Sequence, residues 1–147
     1  MRFPESRILI FAKAPRPGEV KTRLVPPLTP LGAADLQRRL LTQTLATAAS
    51  ARLAPVELWC SPDPGCEPFP SLAARFGACL RRQADGDLGE RMLRAAERGL
   101  GESGSVVLIG TDCPMLDAAY LAAAMEALVS RDAVLGPAED GGYVLLG

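Results

Sequence analysis

No histidine occurs anywhere in the 147 residues. Ser-His-Asp and Cys-His catalysis are thereby excluded. Lysine is scarce as well: of 16 basic residues only Lys13 and Lys21 are lysine, and both stand in one short loop. Where arginine is the habitual cation, two neighbouring lysines point to a task for a compact point charge. The four cysteines, Cys60, Cys66, Cys79 and Cys113, form no C-x-x-C pair, so neither a zinc site nor a disulfide framework is expected. No run of about 18 apolar residues is present to span a bilayer. The apolar stretch Ile8 to Ala12, behind a polar N-terminus, is too short for a signal-peptide core. With 16 basic against 17 acidic residues the formal charge is −1, leaving no overall field for nucleic acid or an anionic membrane. The expectation is a cytoplasmic protein with no nucleic-acid and no membrane partner. Its chemistry must rest on carboxylates, lysine, arginine, backbone N–H groups or a metal.

A hydrophobic fraction of 48% is ordinary for a soluble domain, and the length suits one domain with a real core. Arg7 to Ala12 reads as a buried strand, β-branched and continuous. Thr29-Pro30 is an N-cap and first-turn signal for a helix to about Arg52, with Leu36, Leu40, Leu41 and Leu45 at helical spacing. Val56 to Cys60 is a second strand, followed by a loop over Ser61 to Pro70, a short helix near Leu72 to Phe76, and a short strand near Cys79 to Gln83. The turn Asp85 to Gly89 leads into a helix over roughly Glu90 to Leu100, and Ser105 to Ile109 is the clearest strand. Asp117 caps an alanine-rich helix to about Arg131, and Ala133 to Gly136 and Tyr143 to Leu146 are the last strands. Strands alternating with helices predict an α/β fold of three layers, α/β/α, around a mostly parallel sheet. The chain stops at Gly147, directly after an apolar strand. The expectation is an interrupted domain, belonging to a longer protein or pairing with a second copy as a homodimer to cover apolar surface.

Three local patterns imitate known motifs. Gly99-Leu100-Gly101-Glu102-Ser103-Gly104 fits G-x-G-x-x-G, but it ends a helix and precedes a strand, the reverse of a dinucleotide fingerprint. Gly18-Glu19-Val20-Lys21-Thr22 echoes a P-loop, yet Val20 stands where glycine is required, and Pro26, Pro27 and Pro30 forbid an immediate long helix. Cys113 beside Asp112 lacks any histidine to activate it and reads as a small buried filler.

In an open α/β sheet, ligands sit outside the carboxyl ends of the strands. Four loops there have unusual composition. The first offers Lys13, Arg16, Lys21 and Arg23 around Gly18, with Thr22, a set suited to a diphosphate. In the second, Gly86 and Gly89 flank Asp87 and let backbone approach a base or ribose ahead of a helix N-terminus. The third, Gly110-Thr111-Asp112-Cys113-Pro114, puts Asp112 at the end of the best strand. Mg²⁺ or Mn²⁺ takes one or two protein carboxylates there, along with phosphate oxygens. Capping of the next helix already falls to Asp117, so Asp112 is the candidate metal ligand. The fourth, Asp140-Gly141-Gly142-Tyr143, is a glycine-paired turn on the acceptor side, where Asp140 faces an acceptor hydroxyl as base or binding group. Lys21 and Asp140 are the candidate catalytic residues.

Taken together, Phe11-Ala12-Lys13-Ala14-Pro15 with Gly18 and Lys21-Thr22-Arg23-Leu24, Gly86 through Met92, Gly110 through Pro114, and Asp140 through Tyr143 resemble a bacterial family of GT-A-fold transferases. Its members are described as glycosyltransferases, some associated with radical-SAM and arsenosugar genes. More distantly, the chain is similar to the guanylyltransferases that activate phospholactate and to molybdenum-cofactor nucleotidyltransferases. The resemblance spans nearly the whole chain. It implies a nucleotide-diphospho-sugar-transferase fold with phosphates on the cationic loop, the nucleoside near Gly86 to Gly89, metal on Asp112, and a small-molecule acceptor beside Asp140 to Tyr143. The sequence departs from the family in lacking the usual C-terminal portion, and from many glycosyltransferases in lacking Asp-x-Asp, since position 110 is Gly110. Three functions stay open: glycosyl transfer from a nucleotide sugar, nucleotidyl transfer from a nucleoside triphosphate with release of pyrophosphate, and nucleotide binding without catalysis.

Overall fold

Ile8, Leu9 and Ile10 are all fully buried, so the strand that carries them is covered on both faces. This is β1 (Ser6–Lys13), the centre of the sheet in the computed structural model, which describes residues 1–24 and 27–147. Pro26, one of the three prolines weighed against a P-loop, lies outside the described residues. After β1 come a 3-10 turn (Thr22–Leu24), α1 (Pro30–Ala51), β2 (Val56–Ser61), α2 (Phe69–Phe76) and β3 (Cys79–Arg82). Then follow α3 (Leu88–Glu102), β4 (Ser105–Ile109), α4 (Ala118–Ser130), β5 (Leu135–Pro137) and β6 (Tyr143–Leu146).

The six strands lie in the order β3-β2-β1-β4-β6-β5. β1 to β4 are mutually parallel, and β6 runs against both β4 and β5. The chain winds outward from β1 to β3 and then crosses back to set β4 on the other side of β1. That reversal opens a crevice at the carboxyl ends of β1 and β4, the place where sheets of this kind take ligands.

Successive residues of β1 serve different layers. Ile8 and Ile10 join Leu41 and Leu45 of α1, Phe69 and Leu72 of α2, and Leu121 and Met125 of α4. Leu9 and Phe11 meet Trp59, Val106, Leu108 and Ala95 of α3 on the opposite face. Each fully buried leucine or isoleucine contributes about 1.5–3 kcal/mol. Exposed ion pairs such as Arg39–Asp35 contribute about 0.2–1 kcal/mol, so the two apolar layers dominate. Thr29, Asp87 and Asp117 cap α1, α3 and α4, each accepting a backbone N–H at 2.9 Å.

Several boundaries differ from the sequence expectation. α3 starts at Leu88 rather than Glu90 because Asp87 caps it, which draws Gly89 into the first helical turn. Gly86 holds a left-handed φ of +115°, and a side chain there would strike the Glu90 carboxylate; Gly89 meets no such constraint. α2 begins at Phe69, whose ring is fully buried and anchors the first turn. β5 covers Leu135–Pro137 rather than Ala133 to Gly136, and Val134 instead exchanges two backbone bonds with Gly147, each 2.9 Å. β6 is not buried along its length: Leu145 is enclosed, whereas half of Tyr143 is exposed. On that face the helix α3 centres on β1, β2 and β4 and meets β6 through Met92, whose Sδ accepts from Tyr143 Oη at 3.6 Å. The Gly99 to Gly104 motif ends a helix and precedes a strand as expected, but α3 runs on to Glu102 rather than Leu100, so Gly99 and Gly101 are helical and Ser103 is the C-cap.

Cys60, buried in β2, has its thiol pushed up from 9.0 to about 12, first by burial and then by the neighbouring Cys66 and Asp63. The folded chain therefore holds this proton more tightly than the unfolded one. The associated stability is present in full below about pH 9 and is lost as the pH rises toward about 12. Iodoacetamide at pH 8 is expected to spare Cys60 in the native protein and to modify the exposed Cys79. Peptide mapping that finds both labelled equally without denaturant would contradict this.

Candidate functional site

The loop after β1 leaves the sheet at Lys13 and returns to the crevice at Lys21, Thr22 and Arg23. Together with the loop after β4 and the start of α3 it encloses a cleft of about 800 Å³. Its polar lining includes the cations Lys13, Lys21, Arg23 and Arg91, the carboxylates Glu19 and Asp112, and the amides Gln37 and Gln83. A second chamber of about 670 Å³ adjoins it, walled by Leu88, Met92, Leu108, Cys113, Val144 and Tyr143. Arg23, Leu88, Gly110, Thr111 and Asp112 border both spaces, so Asp112 stands at their junction.

Lys21 reaches that junction by an unusual route. Its backbone is left-handed, with φ +48°, a conformation that non-glycine residues seldom adopt. Its Nζ donates to Asp112 Oδ1 at 2.5 Å. The two ends of this pair differ: the lysine side chain is 12% exposed, the aspartate 67%. The lysine is held from within while the carboxylate remains open to the cleft.

Two buried glutamines form the floor. Gln37 of α1 donates weakly to Lys13 O at 3.4 Å and to Thr111 Oγ1 at 3.5 Å, joining the ends of β1 and β4. Gln83, just past β3, donates to Ala12 O at 3.3 Å and Trp59 O at 3.0 Å. Its Oε1 accepts from Arg91 of α3 at 2.8 Å. Neither glutamine, nor Arg91 as a site residue, follows from the sequence reading. Gln37 could have been found as the one strongly polar position in the stripe Ala33, Ala34, Leu41 and Leu45 of α1.

The sequence candidates assemble unevenly. Lys13, Lys21, Thr22 and Arg23 line the first cleft, and Lys13 Nζ also donates to Glu19 O at 2.8 Å. Arg16 and Gly18 are not among its lining residues; Arg16 instead donates to Cys66 Sγ at 3.0 Å. From the second loop, Leu88 and Arg91 reach the cleft rather than Gly86, Asp87 or Gly89. Asp140, Gly142 and Tyr143 line the second chamber, and Gly141 forms the turn behind them with φ +90°. Asp140 Oδ1 accepts from Gly142 N at 3.0 Å, which leaves its second oxygen for a ligand. Cys113 is half-buried and borders this chamber, so it is not the enclosed filler expected of it; it stands past the end of β4, in the loop that forms the chamber wall.

Comparison with solved structures identifies the fold as that of nucleotide-diphospho-sugar transferases. A Desulfovibrio desulfuricans G20 protein, provisionally named a nucleotide-diphospho-sugar transferase, superposes with a TM-score of 0.84 at 34% identity over 97% of this chain. A cytidylyltransferase from Leptospira borgpetersenii serovar Hardjo-bovis gives 0.60 at 16% identity over 97% of the chain. The 4-diphosphocytidyl-2C-methyl-D-erythritol synthase of Anaerococcus prevotii gives 0.61 at 12% identity over 95% of it. The chain spans 62%, 60% and 63% of the lengths of these three proteins. No curated protein matches its sequence. Among the described residues, no helix is long and apolar enough to cross a membrane. The family model described as an uncharacterized protein conserved in bacteria (DUF2064) matches residues 44–147, and the chain belongs to that family.

Proposed function

We propose that the protein transfers a glycosyl group from a nucleotide-diphospho-sugar to a hydroxyl-bearing small molecule, with Mg²⁺ or Mn²⁺ engaged at Asp112. The observation that carries this reading is the charge of the second chamber. Asp112 and Asp140 both face it, its walls are apolar, and Arg23 is the one cation among its described lining residues. Nucleotidyl transfer would bring a phosphorylated acceptor against the Asp140 carboxylate, which unlike Asp112 has no lysine on it among the described residues, whereas a neutral hydroxyl meets no such repulsion. The 34% identity to the D. desulfuricans protein supports the same choice.

In this reading the donor diphosphate lies along Lys13, Lys21 and Arg23, and the sugar crosses the Asp112 junction. The acceptor oxygen attacks the anomeric carbon, the bond from that carbon to the diphosphate oxygen breaks, and nucleoside diphosphate leaves. Asp140 takes the hydroxyl proton. The cations stabilise charge that develops on the leaving diphosphate.

The residues present fit a metal held jointly with the donor. Among the described residues no cluster of three or more acidic or sulfur ligands exists, so a cation finds no closed protein cage. The open Asp112 carboxylate can supply one ligand, and phosphate oxygens and water complete the shell, the habit of Mg²⁺. Such a metal, when bound, would neutralise the diphosphate oxygens.

A panel of nucleotide sugars and nucleoside triphosphates, incubated with Mg²⁺ and resolved by phosphorus NMR, tests the proposal. Nucleoside diphosphate released only from nucleotide sugars is the expected result. Pyrophosphate from a triphosphate would replace it with nucleotidyl transfer, and binding without turnover would leave a nucleotide-binding module.

A further inference from the structure

We propose that Arg91 binds the donor's phosphates and that Gln83 is its positioning residue, an assignment that rests on the donor reading above. Arg91, at the start of α3, lines the same cleft as Lys13, Lys21 and Arg23 of the loop after β1. A cation in the first turn of a helix opposes the helix dipole. Here Glu90 and the N-cap Asp87 offset that cost within the turn, and it is the Arg91 side chain, not theirs, that lines the cleft, where it suits an anion.

Among the described residues Arg91 forms no ion pair, unlike Lys21 with Asp112 or Arg16 with Glu19. Its bonds go to neutral oxygens only: Nη1 to Gln83 Oε1 at 2.8 Å and Nε to Asp87 O at 3.4 Å. A guanidinium carries five N–H donors, so these two bonds fix its plane and leave donors for a ligand.

Gln83 fits the role of a fixed support. The residue is 8% exposed, and its two amide protons go to the carbonyls of Ala12 and Trp59, on adjacent strands. Its backbone N–H is bonded as well, to Cys60 O at 3.0 Å. With both amide protons committed, its oxygen can only face outward as an acceptor, and Arg91 is what it meets. The Arg91 fork is thus referenced to the ends of β1, β2 and β3 at once, and it can grip a phosphate in two-point fashion, as a lysine cannot.

Calorimetry with inorganic pyrophosphate, a nucleoside diphosphate and the matching nucleoside, on the full chain, tests the assignment. Arg91→Ala is expected to weaken pyrophosphate and nucleoside diphosphate about tenfold or more and to leave the nucleoside unchanged. Arg91→Lys should recover only part of that loss. Gln83→Met should reproduce a part of it with Arg91 in place, provided a thermal melt shows the fold intact; the arginine variants decide the matter if it does not. Unchanged phosphate affinity in Arg91→Ala overturns the assignment and leaves the donor reading standing. Equal loss of nucleoside and diphosphate also overturns it, in favour of base recognition. A wild-type chain that binds neither pyrophosphate nor any nucleoside diphosphate overturns both.

Discussion

Asp112→Asn is expected to remove the Mn²⁺- or Mg²⁺-dependent gain in nucleoside diphosphate affinity while the fold survives. Changes outside the direct ligands of metal sites already cost about 10–100-fold in metal affinity, and loss of the carboxylate itself is expected to cost at least roughly that. The fold should survive with a modest loss of stability: the carboxylate end of the Lys21 pair is 67% exposed and the ammonium end 12%, and the asparagine oxygen can still accept from Lys21 Nζ. Without metal the sign reverses. The neutral amide of the variant would no longer offset the Lys21 charge, so metal-free diphosphate should bind as well as before or more tightly. Titration calorimetry of nucleoside diphosphate with and without Mn²⁺ reads both effects. A variant that keeps the full metal-dependent increment would remove Asp112 from the metal site.

The layers were legible because the signals for them are local. The run Ile8 to Phe11 announces a buried strand, and Thr29-Pro30 and Asp117 announce helix starts. The four ligand-facing loops were legible for the same reason, as breaks in composition at strand ends. What stayed hidden depends on contacts between distant segments. Gln83 acquires its role only when β1 and β2 bring Ala12 and Trp59 alongside it, 71 and 24 residues away in the chain. Arg91 was hidden behind the glycines that precede it, since Gly89 enters the helix and turns the next face of α3 toward the cleft. The Lys21–Asp112 pair joins two residues read separately as a phosphate ligand and a metal ligand, 91 positions apart. Each is legible singly from its own loop; that the two compete for one another is visible only once the loops meet.

That competition sets the result expected of Lys21→Ala and Lys21→Gly. Loss of the ammonium should weaken metal-free nucleoside diphosphate binding about 10- to 100-fold, the range of one bond to a charged group. Phosphate-free nucleoside should bind as in the wild type. Mn²⁺ should restore more affinity in these variants than it adds to the wild type, because Asp112 is released to hold it. The two substitutions part on stability. A left-handed non-glycine residue costs about 1–2 kcal/mol, and glycine escapes that cost while losing about 0.5–1 kcal/mol to chain entropy. With φ at +48° for Lys21, the glycine variant should therefore melt at or above the alanine variant. Equal affinities in the two variants would show that the ammonium, not the backbone shape, does the binding. Should both lose nucleoside and diphosphate alike, the loop does not clamp phosphate, and the strained backbone at Lys21 must then serve the shape of the cleft rather than its charge.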